Sequence, residues 1–195
     1  MIKKIGRHWK SAEAARTCPE RRGLLKGLVG AAGVLAAPAA LAALPALDVR
    51  QLALLNTHTG DRLEATYWEH GRYLPDALSE INYVLRDHRS GAVTDIEPGL
   101  LDLLHLLRSR LDARVPFHII SGYRSPETNA MLRRNGSGGV AKRSLHMQGK
   151  AVDVRVPGLE LGHLRKVAMD ARAGGVGYYP RSAFVHIDVG RVRYW

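Results

Sequence analysis

The residue types that can do chemistry in this chain gather in two short stretches, SLHMQGKAVDV at 144–154 and FVHID at 184–188. Together they hold His146, Asp153 and His186, two imidazoles and a carboxylate, the ligand set of a zinc site that keeps its fourth position for water. Side chains on a strand alternate between its two faces. In AVDVRV at 151–156, Val152, Val154 and Val156 share one face and Asp153 takes the other; in the second stretch Val185, Ile187 and Val189 oppose Phe184, His186 and Asp188. If the two strands are neighbours, Asp153 and His186 converge on the face the valines do not use. His146 stands seven residues before Asp153, an odd separation that a straight strand would turn to the wrong side. The spacing therefore requires a turn at 147–150, with Gly149 supplying the backbone freedom for the fold-back.

The remaining elements must position these strands. Segments 51–56 and 62–68 read as strands joined by the polar turn at 58–61, a hairpin. Apolar residues at helical spacing predict one helix after Pro75, through Ala77, Leu78, Ile81, Val84 and Leu85. A second follows Pro98, through Leu100, Leu101, Leu104, Leu107 and Leu111. A short strand at 115–120 leads into Ser121-Gly122-Tyr123-Arg124, then a short helix at about 126–134, a Gly/Ser-rich loop at 136–139 and a longer helix at 161–172. The run GGVGYY at 174–179 precedes a final strand at 183–189. Helices come early and strands dominate the end, so the expected fold is α+β, with a small, largely antiparallel sheet carrying the metal site and packed against several helices.

The 195-residue chain is long enough for one well-cored domain and too short for two large ones. Its N-terminal 26 residues are basic and contain Arg21-Arg22 ahead of Leu24, Leu25 and Lys26, followed by a Gly/Ala/Leu run to about Leu47. This resembles a twin-arginine export signal, which assigns 1–46 to a leader and 47–195 to the mature domain. The alternatives are an uncleaved membrane anchor, weakened by Pro38 and Pro45, and a cytoplasmic leader. The export reading makes the twin-arginine machinery a partner and the periplasm the destination, with membrane contact only if the leader stays attached. Residues 1–44 hold eight Lys/Arg and two Asp/Glu, so only +5 of the formal +11 belongs to the mature domain. That charge, with Arg133, Arg134, Lys142 and Arg143 around the glycine loop and no aromatic-basic recognition motif, excludes a nucleic-acid partner. Cys18 is the single cysteine and lies in the leader, so the mature domain has no internal disulfide.

The pattern His-x-x-Gly-x-Ala-x-Asp at 146–153, with a later His in an apolar strand, resembles the superfamily of zinc peptidases that includes D-Ala-D-Ala carboxypeptidases, lysostaphin-like endopeptidases and the hedgehog domain. SGYRSPETNAMLRR, SLHMQGKAVDVR and GGVGYYPRSAFVHIDVGRVRYW are similar to one branch, the murein endopeptidases of the MepK type, over most of 50–195. The resemblance implies one zinc per chain, held by His146, Asp153 and His186, and hydrolysis of cross-links between peptidoglycan stem peptides. Bonds joining two meso-diaminopimelate residues are the favoured substrate, with D-Ala to diaminopimelate bonds the competitor. Arg124 resembles an arginine that related dipeptidases place at the scissile carbonyl, with a buried ion pair as its alternative role. Ser144 is expected to bind substrate or orient a ligand, and Tyr123, Tyr178 and Tyr179 to line the groove or pack beside the glycine run.

In one respect the chain departs from its resemblance. Related enzymes carry a Glu three residues before the last His ligand, or a His two residues before it, as general base, and here those positions are Ala183 and Phe184. Asp188 is the remaining candidate, either as the base or as a group that orients a ligand imidazole. The missing residue keeps open a second function, a non-catalytic, zinc-stabilised wall-binding module. A basic adaptor using the 133–143 patch is a third.

Overall fold

The computed structural model describes residues 48–135 and 140–195. The expected leader and the glycine loop at 136–139 lie outside the described residues. The chain begins with the expected hairpin, β1 (Arg50–Asn56) antiparallel to β2 (Arg62–Glu69), extended by the short β3 (Arg72–Tyr73). Two helices follow, α1 (Pro75–Val84) and α2 (Pro98–Arg110), each opened by a proline whose fixed φ and missing N–H suit the first helical turn. They carry the chain across to β4 (Phe117–Ser121), which lies parallel to β1. A parallel neighbour needs such a crossover.

Helix α3 (Pro126–Asn135) starts where Ser125 Oγ accepts the Thr128 N–H at 3.1 Å, an N-cap with proline at the next position. Then come a single 3₁₀ turn at Leu145–Gln148, β5 (Ala151–Arg155), α4 (Leu161–Ala171), β6 (Gly175–Tyr179), a further 3₁₀ turn at Pro180–Ser182, β7 (Phe184–Asp188) and β8 (Arg193–Tyr194). The strands form one sheet in the order β3-β2-β1-β4-β5-β7-β6-β8.

The α+β class is as expected, but the sheet is not small and largely antiparallel: it has eight strands and is mixed. Two features enlarge it. The α1–α2 crossover joins the N-terminal hairpin to the C-terminal strands through the parallel β1–β4 pair, and β8 adds a second parallel pair along β6. The glycine-rich run before the last expected strand is itself β6; its glycines hide the alternation by which strands are read from sequence.

Helices α1, α2 and α4 cover one face of the sheet. The core lies between them: Leu52, Leu54, Phe117, Ile119, Val152, Val154, Val185 and Ile187 from the strands meet Ile81, Leu100, Leu104, Leu107 and Leu164 from the helices, all nearly inaccessible to water. Each such side chain contributes roughly 1.5–3 kcal/mol through removal from water. That stabilisation fixes which face of β5 and β7 is left for polar residues.

Candidate metal centre and active-site cavity

In the antiparallel β5–β7 pair, Asp153 stands opposite His186. Since their flanking valines and Ile187 are in the core, both functional side chains leave the sheet from the other face. His146 reaches them from the 3₁₀ turn, which ends at Gly149 with φ of 66°. A β-carbon there would collide with the backbone carbonyl of Asp95, so glycine serves both the left-handed backbone and the close approach. Beside the site, a register irregularity between Ile119 and Ser121 interrupts the β4–β5 pairing, next to the Gly122 carbonyl that the first histidine uses.

Hydrogen bonds set both rings. His146 Nδ1 donates to the Gly122 carbonyl at 2.7 Å, because a carbonyl only accepts, and its Nε2 is left bare. His186 Nε2 lies 3.0 Å from Asp188 Oδ2 and donates to that carboxylate, which in the neutral ring leaves the His186 Nδ1 lone pair bare. The two bare nitrogens are 3.1 Å apart, and they lie 3.3 Å and 2.9 Å from the same oxygen, Asp153 Oδ1. One ligand atom from each of these residues falls within 4.8 Å of the other two. Two nitrogen lone pairs and a carboxylate oxygen converging with no proton among them repel unless a cation joins them. This donor set fits zinc, with carbonyl and carboxylate partners behind the imidazoles.

Without a cation the same cluster attracts protons, which a bound metal ion would displace. Burial pushes the Asp153 carboxyl upward, yet the two imidazoles outweigh it and hold the group well below the usual carboxylate range. Burial acts against a charged His186, but its hydrogen bonds to Asp153 and Asp188 prevail and raise it above the ordinary histidine value.

Asp188 is fully buried. Its Oδ1 accepts from the backbone N–H groups of Gly175 at 3.0 Å and Gly190 at 2.8 Å and from Arg193 Nη1 at 3.1 Å; its Oδ2 accepts from His186 Nε2 at 3.0 Å and Arg193 Nη2 at 2.6 Å. Burial disfavours its charge, but the bonds from His186 and Arg193, with the two backbone donors, hold it well below the usual range. Five donors meet a group with about four lone-pair sites. Asp188 is also not part of the cavity lining.

The cavity measures about 480 Å³, inside the range of roughly 300–1,000 Å³ common for ligand sites. His146, Asp153 and His186 line it together with Arg124, Arg143 and Ser144 and with an aromatic group, Tyr179, Phe184 and Trp195. The Arg124 side chain is 12% exposed, with Nη2 3.7 Å from Asp153 Oδ2. Its contacts to Ser121 Oγ and Asn129 Oδ1 are each 3.5 Å, at the long limit of hydrogen bonding, and its buried Nε has no partner. Burial lowers its pKa, but a guanidinium stays charged. Arg124 therefore brings a cation with unspent donors to the cavity.

Two of the expected groove residues lie elsewhere. Tyr178 pairs with Val185 in the β6–β7 register and shares its core side, where it packs on the hydrophobic cluster and beneath Arg165, 5.0 Å from its ring. Tyr179, one residue on, pairs with Phe184 and lines the cavity, as alternation demands. Tyr123 packs against the core, and its N–H donates to the Leu85 carbonyl at 2.7 Å. Sequence reasoning also passed over Arg193 and Trp195, which become legible only once β8 is seen to run beside β6.

The model of the peptidoglycan L,D-endopeptidase MepK family matches residues 44–195. This chain belongs to that family. The Escherichia coli (strain K12) peptidoglycan L,D-endopeptidase MepK is 45% identical over 171 residues, 88% of this chain and 93% of the relative. A Haemophilus influenzae protein described as a "probable peptidoglycan L,D-endopeptidase MepK" is 41% identical over 147 residues, 75% of this chain and 78% of the relative. Among solved structures, the Serratia marcescens L-Ala D-Glu endopeptidase ChiX matches at 25% identity with a TM-score of 0.32, covering 48% of this chain and 70% of that one.

Proposed function

We propose that this chain is a zinc-dependent murein endopeptidase that cleaves peptidoglycan cross-links between meso-diaminopimelate residues, after export to the periplasm by the twin-arginine route. The observation that carries the reading is the convergence of bare His146 Nε2, bare His186 Nδ1 and Asp153 Oδ1 beside the cavity of an endopeptidase-family chain. The L,D designation of the relatives supports the choice of bond. A link between two meso-diaminopimelate residues joins an L to a D centre, whereas a D-Ala to diaminopimelate link joins two D centres.

His146, Asp153 and His186 would hold the zinc. Bound there, zinc supplies a water of lowered pKa and a positive charge for the scissile carbonyl. Arg124 offers its unspent donors to the oxygen that gains charge as water adds to the carbonyl carbon. Asp188, clamped by Arg193, holds His186 in the orientation that turns Nδ1 to the cavity. That role replaces the base role for Asp188, since its oxygens are already engaged by five donors. Ser144, 8% exposed and lining the cavity, is placed to meet substrate.

Incubation of the protein with cross-linked muropeptides tests the reading. Cleavage at diaminopimelate–diaminopimelate links should vanish with chelator and return with stoichiometric zinc. Binding without cleavage would instead identify a wall-binding module, and cleavage that survives chelation would remove the metal.

A further inference from the structure

The mechanism above leaves the aromatic wall of the cavity without a role. Trp195 is 47% exposed, an unusual cost for an indole unless it meets a partner. Its position is nevertheless tightly specified. The backbone of Trp195 is hydrogen-bonded to Val176 and Tyr178, its ring lies 5.3 Å from that of His186, and the guanidinium of Arg193 sits 5.0 Å from its centroid. Gly177, opposite His186 in the β6–β7 register, leaves the space the indole fills: a β-carbon there would stand 2.6 Å from the ring.

What this placement achieves is a hydrogen bond of fixed direction. Trp195 Nε1 lies 2.8 Å from the Tyr179 hydroxyl. Indole N–H is a donor only, so the phenol oxygen accepts and its own hydrogen must point elsewhere. No protein acceptor takes that hydrogen among the described residues, and Tyr179 lines the cavity, with its ring stacked on Phe184 at 4.7 Å and 23°. Arg124 lines the same cavity. Among the described lining residues Asp153 is the sole carboxylate, so the cavity is short of bases and supplied with donors.

We propose that Tyr179 is a further catalytic residue, whose O–H donates a hydrogen bond to the carbonyl oxygen of the scissile amide as it becomes an oxyanion, and that Trp195 is the positioning residue that aims it. The inference rests on the endopeptidase reading. In the step concerned, the water oxygen bonds to the carbonyl carbon and the C=O π electrons move onto oxygen. Tyr179 keeps its proton and contributes one donor beside Arg124. When the C–N bond then breaks, the electron pair returns to re-form the carbonyl and the amine leaves with a proton derived from the water.

Tyr179→Phe keeps the stack on Phe184 and removes one oxygen. With the zinc-loaded protein and a cross-linked muropeptide, kcat should fall about 10²-fold, the scale of losing one oxyanion donor, with KM, metal content and melting temperature unchanged. Trp195→Phe leaves an aromatic over Gly177 but frees the hydroxyl to rotate, and should lower kcat by about fivefold, the worth of one neutral hydrogen bond. A Tyr179→Phe enzyme with wild-type kcat, or one altered in KM alone, overturns the proposal. A second arm uses a phosphinate analogue in which a tetrahedral phosphorus replaces the attacked carbonyl carbon. Tyr179→Phe should weaken its binding by the factor lost from kcat while leaving affinity for the cleaved stem peptide intact, and equal phosphinate affinities also overturn it. If the wild-type protein cleaves no muropeptide, the endopeptidase reading falls, and the phosphinate comparison still decides whether Tyr179 donates.

Discussion

At the scale of single residues, the sharpest contrast is between Asp153 and Asp188, two buried carboxylates on adjoining strands with opposite tasks. Asp153 points one oxygen at two bare imidazole nitrogens, and Asp188 spends both oxygens on donors. Asp188→Asn discriminates the two roles the sequence left open. If Asp188 orients His186, the amide weakens that hold and zinc affinity should drop about 10- to 100-fold in a competitive chelator titration. Full zinc affinity with greatly reduced turnover would restore the base role. The ligand types and Gly149 were legible because chemistry and backbone freedom are local properties. The saturation of Asp188 was not, because Arg193, Gly175 and Gly190 reach it only through the turn after β7 and the neighbouring β6 and β8.

At the scale of elements, the site depends on how the segment between β4 and β5 is tied down. Asp87, after α1, is buried and accepts from the backbone N–H groups of Ser125 and Arg89, each at 2.9 Å. Burial opposes its charge, but hydrogen bonds from Thr128, Ser125 and Arg89 hold its carboxyl well below the usual carboxylate range. Because the folded pKa is depressed, the unfolded chain binds more protons just below pH 4. The contribution of Asp87 is therefore complete at neutral pH and is lost as the pH falls beneath about 4. Asp87→Asn should cost roughly 1–3 kcal/mol at pH 7 in urea unfolding, and the gap to wild type should close on acidification. A gap that stays constant from pH 7 to 3 would show that Asp87 does not carry this dependence. Helical periodicity announced α1 and α2 well, whereas β6 escaped notice because Gly175 and Gly177 erase its alternation, Gly177 because the space beside it belongs to Trp195.

At the scale of the whole molecule, the mixed eight-stranded sheet gathers residues far apart in the chain, from Arg124 to Trp195, around one cavity. Among the described residues no helix is long and apolar enough to cross a membrane. The export proposal rests on the leader, with Arg21-Arg22 as its testable feature. Changing both to lysine should retain the protein in the cytoplasm, read by fractionation, and undiminished export would point to the general secretory route. The twin-arginine route carries folded proteins, which suits a domain whose candidate metal ligands come together only in the finished sheet.

By itself, the sequence determined the candidate ligand set, the strand faces that carry it and the glycine that lets His146 fold back, because residue chemistry and side-chain alternation are written along the chain. Tertiary structure alone decided the pairing of β5 with β7, the parallel joins that widen the sheet, the clamp on Asp188 and the Trp195–Tyr179 wall. Each of those depends on which strand lies beside which, a choice set by burial of the common core and expressed in hydrogen bonds between segments distant in sequence.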